Sequence, residues 1–233
     1  MDVLELAKEI ESHRRWLNVE IGGKRANFEG VDLKEANFEG VDLKGANFKG
    51  ASLKGATLER GCFKYASFAG ADLNGANLRR TSLEYANFAG ASLDRVNLEE
   101  SNLEYTFFTD ASLAESLFGQ ATFGGGSFEG ANLTGADFIG TRLNKTDFEG
   151  AILKDVNFAG ANLSGSNLKR ANLKGANLKG ANLEWAGLEG VNSKNVDFSG
   201  ASLVETCYTR CLFNDKKWRE NSKSRLKLLD RII

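Results

Sequence analysis

From Phe28 to Phe213 every fifth residue belongs to one register, with no insertion or deletion, and 36 of its 38 positions are Leu or Phe. Two residues before each of them, from Ala26, Val31 and Ala36 on to Cys211, all 38 positions hold a small residue, 21 of them Ala. Positions two apart share one face of an extended backbone. Both therefore point inward, and the residue between them, usually Asn, Asp, Ser or Thr, points outward. The last residue of each five is Gly in 19 of 38 cases, which points to a corner with positive φ, as at the third position of a type II turn. The chain has no proline, which would remove a donor from a continuous strand ladder.

Three extended residues and a corner cannot bury a Leu or Phe alone, so the units must stack. The pattern of a small residue, Asn or Asp, Leu or Phe and two variable residues resembles the pentapeptide-repeat family. AlaAsnLeu at 161–163, 171–173, 176–178 and 181–183 are clear copies. The resemblance covers residues 26–215 and implies an all-β solenoid, a right-handed quadrilateral β-helix with four fives per coil. Thirty-eight units then make about 9.5 coils, a rod ~46 Å long at ~4.8 Å per coil. On that expectation residues 20 apart stack, and they sort by face. Phe28, Phe48, Phe68, Phe88, Phe108, Phe128 and Phe148 make one column, and Leu33 through Leu173 make another.

Three segments follow: 1–20, an N-terminal capping helix; 21–215, the β-helix; and 216–233, a C-terminal helix. Asp2 to Arg15 reads as amphipathic, with Val3, Leu6, Ala7 and Ile10 on one face and Trp16 and Leu17 beside its end. It covers the apolar interior that an open solenoid exposes. At the other end Trp218, Leu226, Leu229 and Ile233 recur at helical spacing, with Leu228 and Ile232 widening the stripe. That segment either caps the rod or makes a homodimer contact, since in the family this end is a place where two rods meet.

Charge and residue inventory narrow the chemistry. The net charge is −1, zero over the first 25 residues and +4 after Asn214, which leaves −5 on the repeat body. Such a balance argues against a basic surface for nucleic acid or anionic membrane. No stretch approaches the ~20 apolar residues of a transmembrane span. Three cysteines, Cys62, Cys207 and Cys211, without a signal-peptide pattern, point to a reducing, cytoplasmic setting. Cys62 and Cys207 stand ~35 Å apart at ladder spacing, too far to pair. His13, the single histidine, reads as a surface or capping residue rather than a base, and no further His or Cys pair completes a metal site. Gly124, Gly125 and Gly126 lack the Lys-Ser or Lys-Thr of a phosphate loop. Neither catalytic residues nor a cofactor site are expected.

What remains is the outer surface. Tyr65, Tyr85 and Tyr105 occupy corners 20 apart, with Trp185 further along the line. They either stabilise neighbouring coils, as cross-strand pairs do, or anchor a protein partner. Outward positions also turn apolar at Phe107, Leu117 and Ile139, so residues 105–139 form the candidate interaction zone. Lys34, Lys54, Lys154, Lys174 and Lys194 line one edge, either solvated or facing an acidic or phosphate-bearing partner. The favoured function is a non-enzymatic interaction scaffold or regulator. A second reading comes from the resemblance, since some members mimic duplex DNA and inhibit type II topoisomerases. The weak charge of the body, its interspersed Arg60, Arg79, Arg80 and Arg95, and the lack of projecting loops count against it.

Overall fold

A computed structural model describes residues 1–208. After helix α1, Val3–Leu17, the described residues climb in short extended steps joined by turns. Parallel bridges join each outward residue to the one 20 further on, from Asn27↔Asn47 to Gly187↔Cys207. Four fives therefore close one coil, and each of four faces is a ladder one bridge wide.

The register works because a unit with Asn or Asp at its outward position accounts for every backbone donor. In a representative unit the Phe28 N–H reaches Asn47 O on the next coil and the Gly30 N–H reaches Lys49 O. The Asn47 N–H reaches back to Ala26 O, and the Val31 N–H closes the turn on Phe28 O. The remaining donor, the Glu29 N–H, goes to the Asn27 side chain, 3.3 Å away. This last bond explains the outward Asn and Asp. At all 21 of them among the described residues, Oδ1 accepts the N–H two residues on. The outward position is thus part of the turn.

Every corner from Gly30 to Glu205 has positive φ, including 17 that are not glycine, such as Arg60, Tyr65 and Glu100. Positive φ at the third turn residue alone, with the turn closed by a backbone bond, is the type II pattern.

Inside, the Leu and Phe register is buried from Phe28 through Phe198. The Phe28 column stacks ring on ring, with centroids 4.7–5.1 Å apart down to Phe148. Phe38, Phe118, Phe138 and Phe158 come from the opposite wall, ten residues round the coil, and meet that column edge to face. Phe118 and Phe128, for example, lie 5.9 Å apart at 89°. Stacking along the axis and edge contacts across it both suit the ring quadrupole. At seven of the eight small positions that are Ser or Thr among the described residues the hydroxyl donates to a backbone carbonyl, as Thr106 Oγ1 does to Leu83 O at 2.9 Å; the buried Thr146 hydroxyl is the exception.

Helix α1 begins with a capping box between Asp2 and Glu5. Leu6 and Ile10 pack on the core of the first coils, and His13, one turn on, is fully buried. Val3, expected on that face, is 85% exposed although it stands in line with Leu6, Ile10 and His13, so the buried part of the stripe begins only at Leu6. His13 Nδ1 accepts the Ala26 N–H at 2.9 Å and its ring lies against Trp16. A histidine expected at the surface or in the cap therefore joins helix to coil. Burial pushes its pKa down, against the pull of Asp42, the Lys44 backbone and Glu9. Trp218, Leu226, Leu229, Ile232 and Ile233 lie outside the described residues, as does Cys211.

Two outcomes follow for stability. Phe128→Ala, which removes a ring contacting Phe108, Phe118, Phe138 and Phe148, is expected to cost about 3–5 kcal/mol in denaturant unfolding, and Phe128→Leu much less. His13 is held neutral in the fold, so the unfolded chain takes up more protons below about pH 6.5 and stability declines as pH falls through that point. Hydrogen exchange at the Ala26 amide should report this loosening. His13→Asn, whose Oδ1 stands at the distance along the side chain where Nδ1 accepts that amide, should abolish this pH dependence.

Candidate interaction surfaces

The structure separates the residues of the expected interaction zone. Phe107 and Leu117 are ten positions apart, half a coil, and so lie on opposite faces. Tyr105 and Phe107 share one side of the rod; Leu117 and Ile139 share the other.

On the first side, Tyr65, Tyr85 and Tyr105 stack with centroids 5.0 Å apart and rings within 10° of parallel. Lys44 Nζ sits 5.7 Å from the Tyr65 ring at one end of the row, and the Tyr105 ring lies over Gly125 at the other. These rings are about half exposed, yet each has a ring partner within the protein. Trp185, 68% exposed, belongs to the same line but has no ring partner among the described residues. Phe107, 46% exposed, and Ile152, 40%, stand on separate faces. Ile152 escaped the sequence reading, although the signal was the same departure from Asn or Asp at an outward position.

On the other side a dent of about 410 Å³ opens over Leu117 and Ile139, bounded by Glu99, Gly119, Gln120 and Asp137. Its cause is local. Gly119 stands where the coils on either side carry Glu99 and Ile139, so a side chain is missing from the column. The Glu99 carboxylate leans toward the vacant place, within 3.4 Å of where a Cβ would stand. Leu117 also replaces the usual Asn or Asp, so the Gly119 N–H loses its side-chain acceptor. Among the described residues neither the Gly119 nor the Gln120 N–H has a hydrogen-bond partner. Leu117 and Ile139 are 41% and 49% exposed. Asp137 Oδ1 accepts the Ile139 N–H, and no ion pair engages Glu99 or Asp137 among the described residues.

Elsewhere acidic groups are neutralised across coils. Glu100 meets Arg79 and Arg80, and the paired guanidinium groups hold its carboxyl below the usual range. Lys64 pairs with Glu84 at 2.8 Å, Arg60 with Glu39 at 3.0 Å and Arg170 with Glu149 at 3.1 Å. Of the lysine edge, Lys34 pairs with Asp32 at 3.4 Å. Cys62 and Cys207 are free thiols, and burial pushes the Cys62 pKa up. Among the described residues no group of three or more His, Cys, Asp and Glu is placed to hold a metal ion, and no helix is long and apolar enough to cross a membrane.

The sequence matches the profile of pentapeptide repeats in eight copies, over residues 24–60, 62–99, 91–130, 111–150, 151–190 and 176–215. The chain belongs to the pentapeptide-repeat family. Its fold is accordingly the right-handed quadrilateral β-helix of that family. Among solved structures it is similar to HetL, a pentapeptide-repeat protein involved in heterocyst differentiation regulation in the cyanobacterium Nostoc sp. strain PCC 7120. The two are 28% identical over 92% of this chain and 98% of that one, with a TM-score of 0.35. Full-length QnrB1, a plasmid-mediated fluoroquinolone resistance protein, is 17% identical over 82% of this chain and 96% of its own, with a TM-score of 0.41. Rfr23 from the cyanobacterium Cyanothece 51142 is 34% identical over 44% of this chain and 63% of its own, with a TM-score of 0.23. Comparison with curated protein sequences finds no match.

The dent makes a stability prediction opposite to the usual effect of mutation. Leu117→Asn restores an acceptor for the Gly119 N–H, so thermal or denaturant unfolding should show a gain of about 0.5–1.5 kcal/mol.

Proposed function

We propose that this pentapeptide-repeat protein is a non-enzymatic scaffold or regulator that docks another protein on the face carrying Leu117 and Ile139. The observation that carries the reading is that Leu117 is costly twice over. It exposes an apolar side chain and deprives a turn of the side-chain acceptor that every Asn and Asp position supplies. The stacked tyrosines, by contrast, gain from each other in the free protein, so their exposure has a stabilising reason of its own.

The partner segment that fits inserts a Leu, Met or Phe side chain over Leu117 and sets a Lys or Arg against Glu99 and Asp137. Its backbone carbonyls can take the Gly119 and Gln120 N–H groups. A cytoplasmic setting belongs to the same reading and is supported by the free thiols of Cys62 and Cys207. The alternative, a duplex mimic that inhibits a type II topoisomerase, needs an unbroken acidic surface. The cross-coil pairing of Glu39, Glu84, Glu100 and Glu149 speaks against it.

Quantitative capture from native lysate should recover a partner with the wild-type chain and lose it with Leu117→Asn, despite that variant's greater stability. Capture unchanged by Leu117→Asn and by Ile139→Ser sinks the proposed face. Potent inhibition in a DNA supercoiling assay moves the topoisomerase reading ahead.

A further inference from the structure

A second concavity lies far from Leu117, where α1 meets the tyrosine corner. It measures about 700 Å³ and is walled by Trp16, Leu17, Val19, Lys44 and Tyr65. Its floor is closely packed: Gly23 lies so near the backbone of Arg15 and Trp16 that a Cβ there would collide with the helix end.

Three features leave apolar surface open at this cavity or beside it. Val19 takes the left-handed position that closes α1, with its own N–H on Trp16 O at 3.0 Å and the Glu20 N–H on Arg15 O at 2.8 Å, and its side chain stands 92% exposed at the rim. Ile21, two residues on, is 94% exposed. Trp16 and Tyr65 present faces that are 40% and 56% open to solvent. Exposed apolar surface gathered in a concavity is what a ligand site requires, in a chain that otherwise buries its register from Phe28 through Phe198.

Charge specifies what fills it. Glu20, the one acidic wall residue, is already engaged by Arg14 at 3.6 Å and Arg15 at 3.7 Å. Lys44 has no ion-pair partner among the described residues, and its ammonium stands beside the Tyr65 ring. Lys64, one coil further on, is already paired with Glu84, so among the described residues Lys44 is the free cation of this wall. The cavity is therefore apolar with one unneutralised cation, and it opens onto the row that continues through Tyr85 and Tyr105 in two steps of 5.0 Å. That length suits an extended chain better than a small molecule.

We propose that this cavity binds an acidic peptide segment of a partner protein, with a bulky apolar or aromatic residue between Trp16 and Tyr65 and an adjacent Asp or Glu on Lys44. The site is independent of the Leu117 face and carries the opposite charge preference.

The test uses the full chain and two fluorescein-labelled 11-residue peptides, one with a Leu-Glu-Phe-Glu core and one with Leu-Lys-Phe-Lys in its place, titrated by fluorescence anisotropy. The acidic peptide should bind, weaken as salt is raised, and lose roughly tenfold or more in affinity with Lys44→Glu. Val19→Ser, at a site so exposed that folding is not at risk, should also weaken it, whereas Leu117→Asn should leave it unchanged. Equal binding of the two peptides, no binding of the acidic one, indifference to both Lys44→Glu and Val19→Ser, or equally tight binding of free phenylacetate would each overturn the proposal. Loss of binding with Leu117→Asn would assign the peptide to the other face and overturn it as well.

Discussion

The coil-to-coil hydrogen-bond ladder is the constraint on which everything else in this molecule rests. Each unit of five must deliver its N–H groups to the coil above, to the coil below, to its own turn and to its own outward side chain. Only a strict five-residue spacing does this on all four sides at once. One inserted residue would turn the inward pair outward and leave ladder groups unpaired beside a buried phenylalanine. The uninterrupted register is the consequence, and so is the tolerance of 17 non-glycine residues at positive φ. The ladder on either side holds each such corner in a conformation that it would not choose alone.

A scaffold so constrained leaves few places for specificity. The inward positions are occupied by the core, and the Asn and Asp of the outward row are occupied by the turns. Partner recognition is left to positions where the sequence gives up one of those roles. Leu117 and Gly119 do so together, one surrendering a turn acceptor and the other a side chain, and the result is a concave apolar site without any loop. The tyrosine corner shows the opposite case, in which exposed aromatics reinforce the ladder by stacking along it.

The N-terminal end adds something the repeat cannot. Helix α1 is fastened by the bond from the Ala26 N–H to His13 and by the packing of Leu6 and Ile10. Because Trp16 lies against His13, the same joint positions one wall of the aromatic cavity. Acid that protonates His13 therefore acts on the cap and on that wall together.

The register by itself determined the fold. Phe28, Leu33 and their successors, with small residues two before them, specify inward pairs, corners and a period of 20, because burial and side-chain alternation are local and repeat without exception. The single outward positions Tyr85, Leu117 and Ile139 were likewise legible as departures. What only the tertiary structure decided is how these positions relate across coils. It put Phe107 and Leu117 on opposite faces, assigned the outward Asn a turn bond, and buried His13 under a helix. Those facts depend on which side of a four-sided coil each unit occupies and on what packs against its end, and neither is written in any one unit of five.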